Sequence, residues 1–419
     1  MTRRARRPSE CPSPRGFVLL PRSLRSPGVP VVALLSAALW SLARSLTIVA
    51  FSWTIVSSIP SAFAVPLLFA VRALPGVIFG LFAGPAVDRL GSRPSVIGAD
   101  SVSAACLIAL IAISADGKLT FVLLLAGSAT LGAMDTLRQA GTQSMIHGLA
   151  RRGRAASALA AMNLVMSLAM IVGAALGGVL MAHLGLAEAL GVTVVCLLGS
   201  LASAWRSPSP KTAARSGFEA VGQVKSPSNS MRGAFQLLRQ NQTVRRLALV
   251  VALAEVLLVS SAAVLPAFTT TVLNGSATEL GTLTASISLG GVAILLVLTF
   301  RQVSPRYTLV VIALSSGGIA LLAVSAAPSP AIAFLPLALL GAAISTLDTT
   351  TQSMLLANVA PHQRGAAAGI WVFAVGAAPA GQLLLGALVE LLGVRGTLAT
   401  VGLLDLLIVV PLAMVSSRR

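Results

Sequence analysis

The sequence predicts an all-α integral membrane protein, with twelve transmembrane helices arranged as two parallel repeats of six and with both termini in the cytoplasm. Three observations lead to this prediction. The 419-residue chain is 56% hydrophobic and only 10% charged, which leaves too few charges to cover a water-exposed surface. Its apolar residues form runs long enough to cross a bilayer. Its basic residues cluster in alternate connections between those runs. A soluble enzyme and a disordered chain are therefore excluded.

Twelve segments reach the roughly 20 apolar residues that a membrane-crossing helix requires. They cover residues 31–57, 62–86, 95–115, 119–141, 156–182, 185–205, 247–272, 280–300, 308–327, 331–355, 366–389 and 394–416. A long polar break separates the sixth segment from the seventh. The predicted organisation is a disordered Arg-rich cytoplasmic tail at 1–28, a six-helix half at 29–206, a central cytoplasmic loop at 207–245 and a second six-helix half at 246–417.

The placement of the basic residues predicts the orientation. The formal net charge is +18, from 30 Lys and Arg against 12 Asp and Glu. If the N-terminus is cytoplasmic, only Lys118 and Arg395 fall in outer loops, while Arg44, Arg72 and Arg138 lie within spans. All other basic residues then lie on the cytoplasmic side, as is typical of membrane proteins. The positive charge is thus explained without a nucleic-acid partner.

The two halves share an internal repeat. The tetrapeptide Thr-Gln-Ser-Met occurs at 142–145 and again at 351–354, each time at the cytoplasmic end of the fourth span of its half. Gly178 and Gly185 align with Gly386 and Gly393. Two halves of six spans each are related by an axis along the membrane normal, and such repeats hold substrate near the midplane between them.

A loop between spans 2 and 3 resembles the G-x-x-x-D-R-x-G-R-[RK] signature of the major facilitator superfamily. Residues 84–93 read GPAVDRLGSR, and the matching positions are Gly84, Asp88, Arg89, Gly91 and Arg93. Ser92 stands where the signature has the first of two closing basic residues. The resemblance implies a twelve-helix transporter in which this loop forms an inner gate, to which we also assign Asp100.

Further segments are similar to the siderophore and macrolide efflux branch of that superfamily. Residues 135–140 read DTLRQA and resemble its D-P-A-R-Q-A sequence, and residues 359–365 read VAPHQRG and resemble V-P-x-x-x-R-G. In span 5, Gly173, Gly177 and Gly178 match the antiporter signature G-P-x-x-G-G, with Ala174 in place of proline. The alternative for these glycines is ordinary small-residue helix packing.

Ionisable residues within spans are the candidates for substrate and proton handling, because such groups are costly in the bilayer and usually functional. The resemblance implies that spans 1, 4, 7 and 10 line the cavity. These spans carry Arg44, Asp135, Arg138, Glu255 and Asp348.

Each of these residues has more than one interpretation. Glu255 is the leading candidate for proton coupling. Arg44 favours either an anionic substrate or an ion pair with Glu255. Asp135 and Arg138, three residues apart, predict a structural or gating pair, with a direct substrate or proton role as the alternative. Asp348 is assigned to gating or packing, and Asp100 to pairing with a neighbouring basic group, such as one of the inner gate.

We therefore expect a secondary active transporter in a bacterial inner membrane that exports a drug, macrolide or siderophore-like molecule, in exchange for protons, by alternating access. An importer of a nutrient or lipid on the same fold and a non-transporting sensor or partner protein remain alternatives. The sequence carries no Walker loop, G-x-S-x-G motif or metal-ligand spacing. We therefore expect no catalytic residue, metal or cofactor, and a monomer whose partners are substrate, protons and lipid.

Overall fold

The computed structural model describes residues 31–150, 155–207, 237–359 and 363–411, and all regular secondary structure in these ranges is helical. The first half contains α1 (Val31–Ser58), α2 (Ala64–Leu90), α3 (Ser92–Ala115), α4 (Phe121–Leu149), α5 (Ala155–His183) and α6 (Leu186–Arg206). The second half contains α7 (Gln242–Leu257), α8 (Ala277–Phe300), α9 (Tyr307–Ala326), α10 (Pro330–Ala357), α11 (Arg364–Val375) and α12 (Ala378–Leu404). The predicted tail at 1–28 and most of the predicted central loop lie outside the described residues.

Beyond the ends of α7 and α12, the chain continues in helical turns that depart from regular α-helical geometry. After α7 the chain runs through a 3₁₀ segment at Val259–Val264, one short turn at Leu265–Ala267 and a π-helical turn at Phe268–Val272. After α12 a second π-helical turn follows at Asp405–Val409. Such departures from α geometry in long helices are often found at functional sites.

The described helices supply ten candidate membrane spans, or eleven if the two parts of α2, bent by 69°, count as one. The prediction of twelve separate spans therefore differs from this count. The difference arises in the last candidate, Gly369–Val409, which is continuous over 41 residues. Within it Gly393 has a φ of 71° and a ψ of 170°, which is not helical. Glycine adopts this conformation without the steric cost that a Cβ would bring.

Close backbone contacts at glycines join neighbouring helices within each half. A Cβ atom on Gly132 of α4 would lie 1.9 Å from the carbonyl oxygen of Arg72 in α2. In the second half, a Cβ on Gly341 of α10 would lie 1.8 Å from the carbonyl oxygen of Ile287 in α8. Helices in lipid associate through such close packing, since the lipid is as apolar as the side chains.

The pattern of helix pairs in the first half recurs in the second. Helix α2 packs against α4, and α3 packs against α4 and α6. Correspondingly, α8 packs against α10, and α9 packs against α10 and α12. The pairing thus follows the repeat seen in the sequence.

The two halves meet through α5 against α8 and α2 against α12. Their closest contacts lie at the end of the bundle that carries the α1–α2 connection, which we call the far end. There Ser61 donates a hydrogen bond to Glu390 Oε1 (2.9 Å), and the backbone N–H of Phe63 donates to the same oxygen (3.1 Å). A Cβ on Gly178 of α5 would lie 2.5 Å from the carbonyl oxygen of Ala277 in α8. The halves are therefore held together at the far end.

Candidate functional site

A fully buried ion pair joins α3 and α4. Arg138 Nε lies 2.8 Å from Asp100 Oδ1, and both side chains are only 1% exposed. Arg138 also donates to Thr142, to Ser36 Oγ (2.8 Å) and to Ser200 Oγ (3.1 Å). Ser200 donates in turn to the second carboxylate oxygen of Asp100 (2.7 Å). This network links α1, α3, α4 and α6, and its charges balance.

A second cluster is built around Asp135 of α4. Arg72 of α2 donates to Asp135 Oδ2 (2.7 Å), and Arg44 Nε of α1 lies 3.4 Å from the same oxygen. The indole N–H of Trp40 donates to Asp135 Oδ1 (3.2 Å). The Trp40 ring lies between two guanidiniums, with Arg44 6.0 Å and Arg138 5.3 Å from its centroid, within the range of cation–π contact. The single carboxylate of Asp135 is therefore the counter-charge of both Arg44 and Arg72.

This arrangement corrects the predicted pairing on α4 and identifies the partner of Asp100. Asp135 and Arg138 do not pair with each other, because residues three apart on a helix differ by about 60° in direction and meet different neighbours. Asp135 points to Arg72 on α2, and Arg138 points to Asp100 on α3. Asp100 therefore pairs with a neighbouring basic residue as predicted, but that residue is Arg138 of α4 and not one of the inner gate.

The predicted alternative of an Arg44–Glu255 ion pair is also corrected, because Arg44 lies against Asp135. Several guanidinium nitrogens in this cluster make no hydrogen bond, and Arg44 Nε has only its 3.4 Å ion-pair contact with Asp135. Arg44 Nε and the Nε and Nη1 atoms of Arg72 are buried without a hydrogen-bond partner. The side chain of Arg44 is 36% exposed, whereas that of Arg72 is 11% exposed. The Asp135 cluster thus has surplus positive charge and unused donors.

Three acids within the described helices of the second half have no basic residue as an ion-pair partner. Glu255 of α7 is 4% exposed, and it lies close enough to Asp348 of α10 for the two carboxyls to interact electrostatically. Asp405 is completely buried against Gly318 of α9. In the described part of the chain none of these three acids forms an ion pair. The intramembrane acids described in the first half are thus held by arginine, whereas those described in the second half are not.

Helix α7 leaves regular geometry directly beyond Glu255. The hydroxyl of Ser260 lies 2.8 Å from the carbonyl oxygen of Glu255 and 2.9 Å from that of Ala378. It thereby links the irregular segment after α7 to the start of α12. Sequence reasoning missed Ser260, since an isolated serine in an apolar span carries no distinctive pattern.

The predicted inner gate forms the tight connection between α2 and α3. Gly91 has a φ of 90°, and its N–H bonds to the carbonyl of Val87 (2.8 Å). Arg93 donates to the backbone carbonyl of Trp205 at the end of α6. Asp88 and Arg89 are exposed at the end of α2. A Cβ on Gly84 would meet open space, so close packing does not explain this glycine in the present conformation.

The three span 5 glycines all face other helices. A Cβ on Gly173 would lie 2.5 Å from the carbonyl of Leu42 in α1, and one on Gly177 would lie 3.2 Å from the Cα of Leu46. Gly178 faces α8 of the other half. Their observed role is close helix packing, which was the alternative to the antiporter interpretation.

A cavity of about 230 Å³ lies between α5 of the first half and α8 and α10 of the second. Its polar lining consists of three hydroxyls, Ser167, Ser288 and Ser345, and most of the remainder is aliphatic. The sequence analysis did not identify these serines, nor Ser36, Ser200 and Trp40. Of these residues, only Trp40 could have been identified from the sequence, because it lies one helical turn before Arg44.

The fold and these sites define a multi-pass helical membrane protein with two similar halves, each of which carries ionisable groups within its helices. The family model of the Major Facilitator Superfamily matches residues 33–300. The chain belongs to the Major Facilitator Superfamily, which confirms the resemblance found in the sequence.

Characterised relatives come from mycobacteria. The chain is 29% identical over 400 residues to "Multidrug efflux pump Tap" of Mycolicibacterium fortuitum, which covers 90% of this chain and 94% of the relative. It is 27% identical over 389 residues to the protein of the same name in Mycobacterium tuberculosis (strain ATCC 25618 / H37Rv), covering 89% and 90%.

Solved structures share the fold. A bacterial homologue of the human lysosomal transporter Spinster superposes with a TM-score of 0.71 at 14% identity, covering 93% of this chain and 96% of that one. The human organic anion transporter MFSD10 (TETRAN) superposes with a TM-score of 0.63 at 20% identity, covering 92% and 99%. Identities this low support the fold alone.

Proposed function

We propose that this protein exports small organic molecules, of a drug, macrolide or siderophore-like kind, across a bacterial plasma membrane in exchange for protons. The observation that carries the proposal is the similarity to multidrug efflux pumps along about nine-tenths of the chain. Family membership supports alternating access between the two halves as the mechanism.

The proposed topology has twelve spans with both termini in the cytoplasm. A straight helix of 41 residues, the length of the candidate Gly369–Val409, would measure about 60 Å, twice the thickness of the hydrocarbon core. The non-helical Gly393 divides it into two segments that each fit one crossing. The distribution of basic residues supports the orientation.

Glu255 and Asp348 are the proposed proton carriers. Both lie in the bundle on α7 and α10, and neither has a cation partner in the described residues. An intramembrane carboxyl that is not locked in an ion pair can take up and release a proton during the cycle. Asp100 and Asp135 are less suitable, because each is held by arginine.

The contacts between the two halves at the far end support one state of the alternating-access cycle, in which that side of the protein is closed. Glu390 and Gly178 close the interface between the halves there. In the proposed topology the far end is extracellular, so this conformation is closed to the outside. Transport would require these contacts to break and the cytoplasmic ends to approach, with the 84–93 gate closing the inner side.

Accumulation of a compound panel tests the proposal in cells that lack their own efflux pumps, with and without a protonophore. Lower accumulation that the protonophore reverses supports proton-driven export. Higher accumulation in expressing cells would indicate the importer alternative. If compound addition to energised inverted vesicles causes no proton movement across a broad panel, the antiport proposal fails and a non-transporting role gains support.

A further inference from the structure

We propose that Arg44 is the binding residue for a carboxylate or similar anionic group on the transported molecule. This inference deepens the proposed function and rests on it. It begins from the charges of the first half. Arg138 and Asp100 neutralise each other, so Arg44, Arg72 and Asp135 remain, with one positive charge in excess. An uncompensated charge within the membrane is costly, and an anionic ligand would relieve that cost.

The surroundings of the two guanidiniums show which arginine can contact the ligand. Arg72 lines a cavity of about 10 Å³ together with Ser128, whose hydroxyl is also without a hydrogen-bond partner. This space holds about one water molecule and excludes a substrate group. Arg72 is therefore a positioning residue that holds Asp135 in place.

Arg44 has the accessibility that Arg72 lacks. Its side chain is 36% exposed, and its contact with Asp135 is longer, at 3.4 Å against 2.7 Å for Arg72. Helix α1 packs against α2, α4, α5 and α6 and also against α8 of the second half. Arg44 thus lies on a helix that is covered by neighbours from both halves, and its guanidinium contacts Asp135 of α4. A guanidinium in this position can bind a carboxylate through two parallel hydrogen bonds.

Asp135 is the internal competitor for that ligand. It lies at the Nε side of Arg44 and is held by Arg72 and Trp40. An incoming carboxylate would take over the guanidinium of Arg44, while Asp135 would keep its shorter bond to Arg72. Removing the Asp135 charge should therefore strengthen anion binding, whereas a purely structural Arg44–Asp135 pair predicts no such gain.

Two probes that differ in charge but hardly in shape test the inference, namely 2-naphthoate and 2-naphthamide. Binding to the purified full-length protein in lipid nanodiscs is measured without a proton gradient. We expect the wild type to bind naphthoate about tenfold more tightly than naphthamide. Arg44→Gln should abolish this preference, Arg44→Lys should keep part of it, and Asp135→Asn should increase it. Arg306→Gln, in an exposed loop, is the matched control and should behave as the wild type.

The inference is overturned if the wild type does not distinguish the two probes, or if Arg44→Gln, eluting as a single species, retains the preference. A loss of naphthoate binding in Asp135→Asn would also contradict it, and this variant remains informative if Arg44→Gln does not fold. Because binding is measured without flux, these results are independent of whether the protein exports compounds against a proton gradient.

Discussion

Arg138 and Asp100 form an ion pair of 2.8 Å that is sealed from solvent and held by two serines and a threonine from three helices. Among the described residues of the second half there is no such pair. Leu347 precedes Thr351 by four residues, as Arg138 precedes Thr142 in the repeat. The same helix position thus carries a buried charge in one half and an aliphatic side chain in the other, and this difference leads to the first prediction.

Removing one partner of this pair should destabilise the protein more than removing both. Arg138→Leu leaves Asp100 buried without a counter-charge, and we expect it to lower the free energy of unfolding by about 3 kcal/mol. The double variant Arg138→Leu with Asp100→Leu should recover most of that loss. Unfolding in mixed micelles measures both variants, and equal losses for single and double variants would contradict the prediction.

Neutralising Glu255 should uncouple transport from protons. Glu255→Gln keeps the size of the side chain but removes its titratable group, so we expect at least a tenfold loss of substrate-driven proton movement in vesicles, with substrate binding retained. The control is Glu188→Gln, in the exposed first turn of α6. Full proton coupling in Glu255→Gln would remove this residue from the mechanism.

Removing the hydrogen bonds that Glu390 accepts should weaken the contact between the two halves at the far end. Glu390→Ala removes the acceptor for both Ser61 and the Phe63 backbone N–H. A cysteine at Ser288, which lines the cavity between α5, α8 and α10, reports access in a background whose three native cysteines are replaced. We expect a membrane-impermeant thiol reagent, added from the far side, to label it several-fold faster in Glu390→Ala. Unchanged labelling would show that Glu390 does not restrain this interface.

A single methyl group at Gly178 should block closure of the halves. A Cβ there would lie 2.5 Å from the backbone carbonyl of Ala277, which cannot yield as a flexible side chain could. We expect Gly178→Ala to reach the membrane but to transport at least tenfold more slowly. The control is Gly191→Ala on α6, where a Cβ meets open space. Equal transport rates in both variants would show that the close approach of Gly178 to Ala277 does not matter for transport.

Much of the fold follows from local sequence patterns. The predicted spans at 62–86 and 280–300 differ by only a few residues from α2 and α8. Hydropathy predicts such helices because each must be apolar along its own length. The predicted break between the spans 366–389 and 394–416 coincides with the non-helical Gly393, although hydropathy carries no information about the backbone angles at that break.

The candidate site was only partly predictable. The sequence identified Arg44, Asp135, Arg138 and Asp100 as unusual, because ionisable residues are rare within spans. It did not predict that Arg44 and Arg72 share Asp135 or that the basic partner of Asp100 is Arg138. Observed partners lie on different helices, and their meeting depends on how far each helix is rotated about its axis.

The sequence by itself determined that this protein is a multi-pass helical membrane protein of the Major Facilitator Superfamily, with a repeat between its halves and charges within its spans. These properties depend on composition, periodicity and short motifs along one chain. Tertiary structure alone decided that Asp135 is shared by Arg44 and Arg72, that Asp100 neutralises Arg138, and that Glu255 and Asp348 stay without cations in the described residues. The physical reason is that an ion pair forms over about 3 Å between side chains from separate helices, and only helix packing sets that distance.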